Sequence, residues 1–128
     1  MSTYSKKEIG DFGEKECARY LKKLKYKILD KNARFHHLEA DIIATNKTHV
    51  VFVEVKTRSL ESAEFIRPSS AVDKKKQSNL RSFAYAYIKS LPKKHNQKQF
   101  RMDVCEIVIS SKEGSLEVSD FNYIENAF

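Results

Sequence analysis

The stretch "HVVFVEVKTR", His49–Arg58, decides the fold. Its four valines and one phenylalanine mark a β-strand buried in a core. Glu54 and Lys56 lie inside the same run, and a charge is costly to bury without a partner. Side chains alternate along a strand, so Val51, Val53 and Val55 share one face, while Val50, Phe52, Glu54 and Lys56 share the other. That second face begins apolar and turns charged toward its C-terminal end.

The segment before it, "EADIIAT" (residues 39–45), reads as a partner strand, and "NKT" reads as a turn. Glu39, Asp41 and Ile43 fall on one face of this strand, and Ala40, Ile42 and Ala44 on the other. A two-residue loop at Lys47–Thr48 makes Asn46 the partner of His49. Ile43 then stands opposite Phe52, Asp41 opposite Glu54, and Glu39 opposite Lys56. A loop one residue longer or shorter would send Asp41 and Glu54 to opposite faces. In this register two carboxylates meet with a lysine beside them. Like charges so close repel unless a proton or cation sits between them. Asp41 and Glu54 therefore suit Mg²⁺ or Mn²⁺, which takes one or two carboxylates and completes its shell with water and phosphate. A water on such an ion is a stronger nucleophile, and Lys56 could orient it or stabilise charge on the phosphate. A solvated sheet edge carrying ordinary ion pairs is the plainer reading of Glu-x-Lys. The flanking valines, which make the strand central, favour the chemical one.

Working outward, Ser5 and Glu8 form a capping box that opens a helix running to about Lys25. Ile9, Phe12, Cys17, Tyr20, Leu21 and Leu24 supply its apolar stripe. Gly10 and Gly13 are poor helix formers and imply either that something approaches the backbone there or that the helix begins later. "YKILDKN" is a first strand, "ARFHHL" a loop or strand end, and "SLESAEFIRPS" a loop. Ser70 and Asp73 suggest a second capping box. The second helix is expected over about residues 71–90, with Val72, Leu80, Phe83, Ala84, Tyr87, Ile88 and Leu91 on its buried side. "LPKKHNQK" is a basic loop, "QFRMDVCEIVI" a strand, and "LEVSDFNYI" a last strand or extended tail. The order is α-β-β-β-α-β-(β), one α/β domain over residues 1–128.

Lys and Arg number 24 against 17 Asp and Glu, a net charge of +7 that favours an anionic partner such as nucleic acid. The two cysteines, Cys17 and Cys105, form no CxxC pattern and read as buried thiols. The N-terminus lacks an apolar signal segment and no run reaches membrane-spanning length, so a soluble, cytoplasmic protein is expected.

"EADII" followed by "VVFVEVKTR" resembles the D…(D/E)-x-K signature of the PD-(D/E)XK nuclease superfamily. "GEKECARYLKKLKYKIL", "LEADIIAT", "VFVEVKTR", "AVDKKKQSNL", "FRMDV" and "NAF" together resemble the YraN-type group of small, uncharacterised bacterial proteins, in the same order over nearly the whole chain. That resemblance implies a restriction-endonuclease-like core, α-β-β-β-α-β with a mixed central sheet flanked by helices, like Holliday-junction resolvases and RecB-type nuclease domains. It matches Asp41 and Glu54 to metal-binding acids, Lys56 to the catalytic lysine, and Glu14 to an acid that joins the metal site in resolvase-like members. Lys76 and Gln77 match polar positions over the active site in RecB-like members. Leu38 and Ala40 depart from the group's usual glycine and larger aliphatic. The implied activity is metal-dependent endonuclease cleavage of DNA, branched or structured, by a homodimer of the kind resolvases form.

Several residues carry two readings. Glu14 also suits an acid at a helix N-terminus. Glu39 is a partner of Lys56 or an exposed acid. Arg34 and Arg58 could grip phosphate but equally suit a solvated surface. His36 and His37 are adjacent and point apart, which makes joint chelation implausible. Tyr85 and Tyr87 suit packing better than base stacking. The alternative functions are a non-catalytic nucleic-acid-binding protein that keeps the fold, and a partner-binding module of a repair or secretion complex.

Overall fold

A computed structural model describes residues 4–61 and 73–128. Helix α1 (Lys6–Lys23) is followed by strands β1 (Lys27–Phe35), β2 (Leu38–Thr45) and β3 (His49–Ser59). Helix α2 (Lys74–Ser90), the short α3 (Lys93–Asn96), β4 (Gln99–Lys112) and β5 (Ser115–Ile124) complete the chain. The five strands form one mixed sheet in the order β1-β2-β3-β4-β5. Among the described strands only β3–β4 is parallel, along their length from His49↔Gln99 to Ser59↔Ile109. The chain is thus α/β with a mixed central sheet between helices, as a restriction-endonuclease-like core requires, and β3 is its middle strand. Among the described residues no helix is long and apolar enough to cross a membrane.

The alternation along β3 builds two cores. Val51, Val53 and Val55 face α1 with Cys17, Leu21, Ile42, Cys105 and Ile107. Val50 and Phe52 face α2 with Ile43, Leu80, Phe83 and Ala84. Phe52 is fully buried and meets Phe83 and Tyr87 edge-on. Burying an aromatic or aliphatic side chain of this size contributes about 1.5–3 kcal/mol, so the middle strand anchors both layers.

The β2–β3 turn has the expected length, and Asn46 explains why it needs no Asn-Gly pair. Its side-chain Oδ1 accepts from Thr48 N at 3.0 Å and His49 N at 2.8 Å, while its N–H donates to His49 O at 3.0 Å. The pairs Ile43↔Phe52, Ala44↔Val51 and Thr45↔Val50 follow in the expected register.

Helix α1 carries the full capping box, with Glu8 N donating to Ser5 Oγ and Ser5 N to Glu8 Oε1. It ends earlier than expected, because Lys25 takes a left-handed φ of 72°. Tyr26 N then reaches Leu21 O and Lys25 N reaches Lys22 O, a Schellman closure without glycine. Leu24 consequently turns outward, 46% exposed, and Tyr26 takes its place in the core.

Other departures have equally local causes. Strand β1 runs through "ARF" to Phe35, and His36–His37 alone form the turn to Leu38. Ala40 packs on the α2 side with Ala33 and Ile43, whereas Ile42 packs on the α1 side. Strict alternation between Ala40 and Ile42 is therefore broken where the regular β2–β3 pairing stops. The cap of α2 is Asp73, whose carboxylate accepts from Lys76 N at 2.8 Å; Ser70 and Val72 lie outside the described residues. Part of the basic loop winds into α3. The last segment is a genuine strand, β5, paired antiparallel with β4.

The C-terminus is tied down by a buried charge. Asp103, fully buried, accepts from Arg101 Nε at 2.9 Å, Arg101 Nη2 at 3.0 Å, Tyr123 Oη at 2.6 Å and Asn126 N at 2.9 Å. Arg101 also donates to Tyr26 Oη at 2.7 Å. Each oxygen of the carboxylate is satisfied, which a buried ion pair must achieve to be tolerated.

Candidate functional site

The ladder between β2 and β3 ends at Ile42↔Val53. The next inward donor on β3 is the N–H of Val55, and it donates to the side chain of Asp41, Oδ2 at 2.8 Å. A carboxylate thus takes a backbone hydrogen bond at the point where the two strands part. Burial, and then the negative charge of Glu54, push the Asp41 carboxyl up to about 7; the Val55 bond works the other way. Glu14 and Glu39 add smaller repulsions of the same sign. The two acids aligned in the sequence do sense each other, across a gap rather than across a regular pair.

Glu14 comes to this gap from the α1 side. One residue earlier Gly13 lies against Thr57 of β3, so closely that a Cβ on it would stand 2.2 Å from Thr57 Oγ1. The glycine permits the close helix–strand approach that the sequence suggested; Gly10 faces open space. Half-buried, Glu14 has a raised pKa, chiefly from burial, although the Asn32 side chain hydrogen-bonds to it and Lys31 attracts it. Asn32 makes this contact from a left-handed bend in β1 at φ 51°.

From the α2 side Lys76 extends its ammonium to Glu54 Oε2 at 3.1 Å. Glu54 is well covered, its side chain 14% exposed, and Lys76 is 52% exposed. Desolvation alone would lower the Lys76 pKa, but Glu54 outweighs it and the net shift is upward. Lys56 shifts the other way, first through burial and next through the neighbouring Lys76 charge. Glu54, Lys56 and Lys76 therefore form one charged group on the face that continues from Phe52. Gln77 sits half-buried beside Lys76, one position further along α2.

The remaining nominated residues lie at the rim. Glu39 pairs with Arg34 at 2.9 Å, both largely exposed, and not with Lys56. Arg58 is exposed and donates to Thr57 O at 3.2 Å. His36 and His37 occupy the β1–β2 turn. Among the described residues, no three His, Cys, Asp or Glu side chains stand together in metal-holding geometry. Glu14 does not close up with Asp41 and Glu54 into a third ligand. Among the described residues, Asp41 and Glu54 are the two carboxylates that could hold a divalent ion, a set that would suit Mg²⁺ because that ion keeps several positions for water and phosphate.

Two parts of this arrangement carried no signal in the residue pattern. Thr57 gains its importance from what rests on it, and Asn32 from a backbone bend that Asn tolerates better than most residues.

The profile of the family described as "Uncharacterised protein family UPF0102" matches residues 13–107. A UPF0102 protein of Caldanaerobacter subterraneus subsp. tengcongensis is 43% identical over 128 residues, the whole of both chains. One from Caldicellulosiruptor saccharolyticus is 40% identical over 124 residues, covering 97% of this chain and 99% of its own. One from Acetivibrio thermocellus is 37% identical over 125 residues, covering 97% and 93%. The matched span runs from Gly13, where α1 meets Thr57, to Ile107 in the middle of β4 and holds every nominated site residue; the chain belongs to the UPF0102, or YraN, family.

Proposed function

We propose that this protein is a metal-dependent endonuclease of the PD-(D/E)XK kind that hydrolyses phosphodiesters in DNA. The observation that carries the reading is the opening of the β2–β3 ladder, where Asp41, Glu54 and Lys56 are gathered beside a lysine from α2. A Mg²⁺ or Mn²⁺ ion held by Asp41 and Glu54 would polarise the phosphate and acidify a water. Asp41 presents its carboxylate from a fixed position because Val55 N–H holds Oδ2. Lys56, its pKa lowered by burial and by Lys76, is suited to orient the attacking water and to meet charge developing on the phosphate. Lys76 balances Glu54 in the free protein and can turn to a phosphate oxygen when the acid is otherwise engaged. Glu14 tunes the field at Asp41 from the α1 side.

Helix α2 supports a polyanionic substrate. It carries Lys74, Lys75, Lys76, Arg81 and Lys89 and no acid, and its N-terminal turn lies over the site. No element reads as a base-sequence reader in the duplex grooves, which favours branched or structured DNA over a short sequence, met in the cytoplasm by a homodimer with two such sites. The test is cleavage of four-way, flapped, single-stranded and duplex DNA with Mg²⁺ or Mn²⁺. Wild type should cut at least one of these and Asp41→Ala none. No cleavage by wild type, or equal cleavage by the variant, sinks the reading.

A second reading has its own support. The Lys76–Glu54 pair neutralises one of the two acids, and among the described residues no third carboxylate joins them. A nucleic-acid-binding protein that keeps the nuclease fold without turnover fits that arrangement. It predicts salt-dependent DNA binding that survives Glu54→Gln, with no cleavage to lose.

A further inference from the structure

A groove separate from the acidic pair lies between β1 and the C-terminal half of α2. Asp30, Ala33, Arg34 and Phe35 form one wall, and Phe83 and Tyr87 belong to the other. Its volume is about 210 Å³, enough for a planar heterocycle, given that a water's share of liquid is about 30 Å³. Phe35, at the tip of the β1–β2 hairpin, leaves 51% of itself exposed and stands edge-on to His36 at 4.6 Å. Phe35 therefore presents an open aromatic face beside a built aromatic floor. The floor is rigid, because Phe83 and Tyr87 stack at 5.6 Å and 23° and both contact Phe52.

We propose that this groove receives an unpaired nucleobase of the DNA strand bound at the acidic site, stacked on Phe35, with Asp30 accepting from a base amino group and Arg34 facing the adjoining phosphate. The proposal rests on the nucleic-acid reading above and adds a substrate feature to it, a single-stranded segment beside the reacting phosphate. Three observations favour this occupant over an apolar peptide. One wall carries both a carboxylate, Asp30, and a guanidinium, Arg34, which match a base edge and a backbone phosphate but not an aliphatic side chain; Arg34 is paired with the exposed Glu39 in the free protein and would exchange that partner for the phosphate. Helix α2 carries Lys74, Lys75, Lys76 and Arg81 toward the acidic pair, Lys89 beyond them and no acid, so a polyanion is drawn to this helix. The spacing also suits a strand. Phe83 lies seven positions beyond Lys76 on α2, about 10 Å at 1.5 Å per residue, the reach of a nucleotide or two from the acidic pair. The groove and the pair are joined by β-pairing as well, since Ala33↔Ala40 and Arg34↔Glu39 connect its wall to the residues flanking Asp41.

The experiment uses the full chain, in EDTA, with a fluorescent single-stranded oligonucleotide, the same backbone with abasic positions throughout, and an oligonucleotide carrying 2-aminopurine. Wild type should bind the base-containing strand about tenfold more tightly than the abasic one, in line with the worth of one stacked base. The 2-aminopurine emission should change on binding. Phe35→Ala should erase most of that preference while its melting temperature stays near wild type, since Phe35 is half exposed. Phe35→Trp should restore it. Asp30→Asn should change which base is favoured rather than overall affinity. Equal binding of base-containing and abasic strands, an unchanged preference in Phe35→Ala, or no binding of any strand each overturns the proposal. Failure of the nuclease reading looks different: base-dependent binding with no metal-dependent cleavage leaves the groove in place, and cleavage without base-dependent binding removes the groove alone.

Discussion

Replacing Asp41 by Asn tests the site without needing a substrate. The carboxyl sits at about 7 in the folded protein against an ordinary value of 3.8, with burial as the main cause and Glu54 as the next. Each unit corresponds to about 1.36 kcal/mol, so ionising this group in the fold costs up to about 4 kcal/mol. Water reaching the open end of the strands relaxes part of this, which puts the expected cost at about 2–4 kcal/mol. The sign follows from the upward shift. Stability from the neutral carboxyl is fully present below about pH 4 and is lost as pH rises through about 7. Asn does not titrate, and its Oδ1 can still accept from Val55 N–H, so packing and hydrogen bonding are kept. Urea denaturation of the two proteins in EDTA, from pH 4 to pH 8.5, is the assay. Asp41→Asn should match wild type near pH 4 and exceed it by about 2–4 kcal/mol at pH 8, roughly 6–15 °C in melting temperature for a domain of this size. Added Mn²⁺ should then narrow the gap by stabilising wild type alone. A gap that does not change with pH would refute the reasoning, because it would mean that Asp41 ionises freely in the folded chain.

Other expectations concern the scaffold. Gly13→Ala should destabilise by about 1–3 kcal/mol despite the better helix propensity of Ala, because the new Cβ meets the Thr57 side chain at 2.2 Å. Adding Thr57→Ala should recover most of that loss in a double-mutant cycle, and simple additivity would exclude the contact as the cause. Lys25→Gly should stabilise by about 0.5–1 kcal/mol in chemical denaturation, since φ 72° strains a residue with a Cβ; a neutral or negative result would show the closure to be unstrained. Asp103→Ala should cost about 3–5 kcal/mol, because it strands the Arg101 guanidinium, and amide exchange at Tyr123–Asn126 should quicken with it. Unchanged exchange there would mean that other contacts hold the C-terminus.

Much of the architecture was legible along the chain because it rests on period and on local chemistry. The valine run of β3, the length of the Asn46–His49 turn and the Ser5–Glu8 box are each set by residues a few positions apart. The register of β2 on β3 follows from the turn as far as Ile42↔Val53; beyond it the regular pairing ends, and Asp41 takes the Val55 N–H instead of a place in the ladder opposite Glu54. Where a local signal is missing, the residue pattern misplaces the element. Lys25 closes α1 in a conformation usually left to glycine, and Asn32 bends β1 at the residue where the alternating pattern ends, so that the strand continues to Phe35.

Features that join distant segments could not be read in this way. Periodicity assigns Ala40 a face, but the break at the end of the β2–β3 ladder turns it to the other one, and frees the Val55 N–H for Asp41. The pairing of Glu54 with Lys76 joins residues 22 apart in sequence, and the Asp103 network gathers Tyr26, Arg101, Tyr123 and Asn126 from three separate stretches of the chain. The groove under Phe35 needs β1 and α2 side by side. The order of strands, the central place of β3 and the candidate acids are written in the chain, because alternation and turn length act over a few residues. How deeply those acids are buried, which cation faces each of them and what opens beside them depend on the packing of α1 and α2 against the sheet, and desolvation and charge proximity exist only once those layers have met.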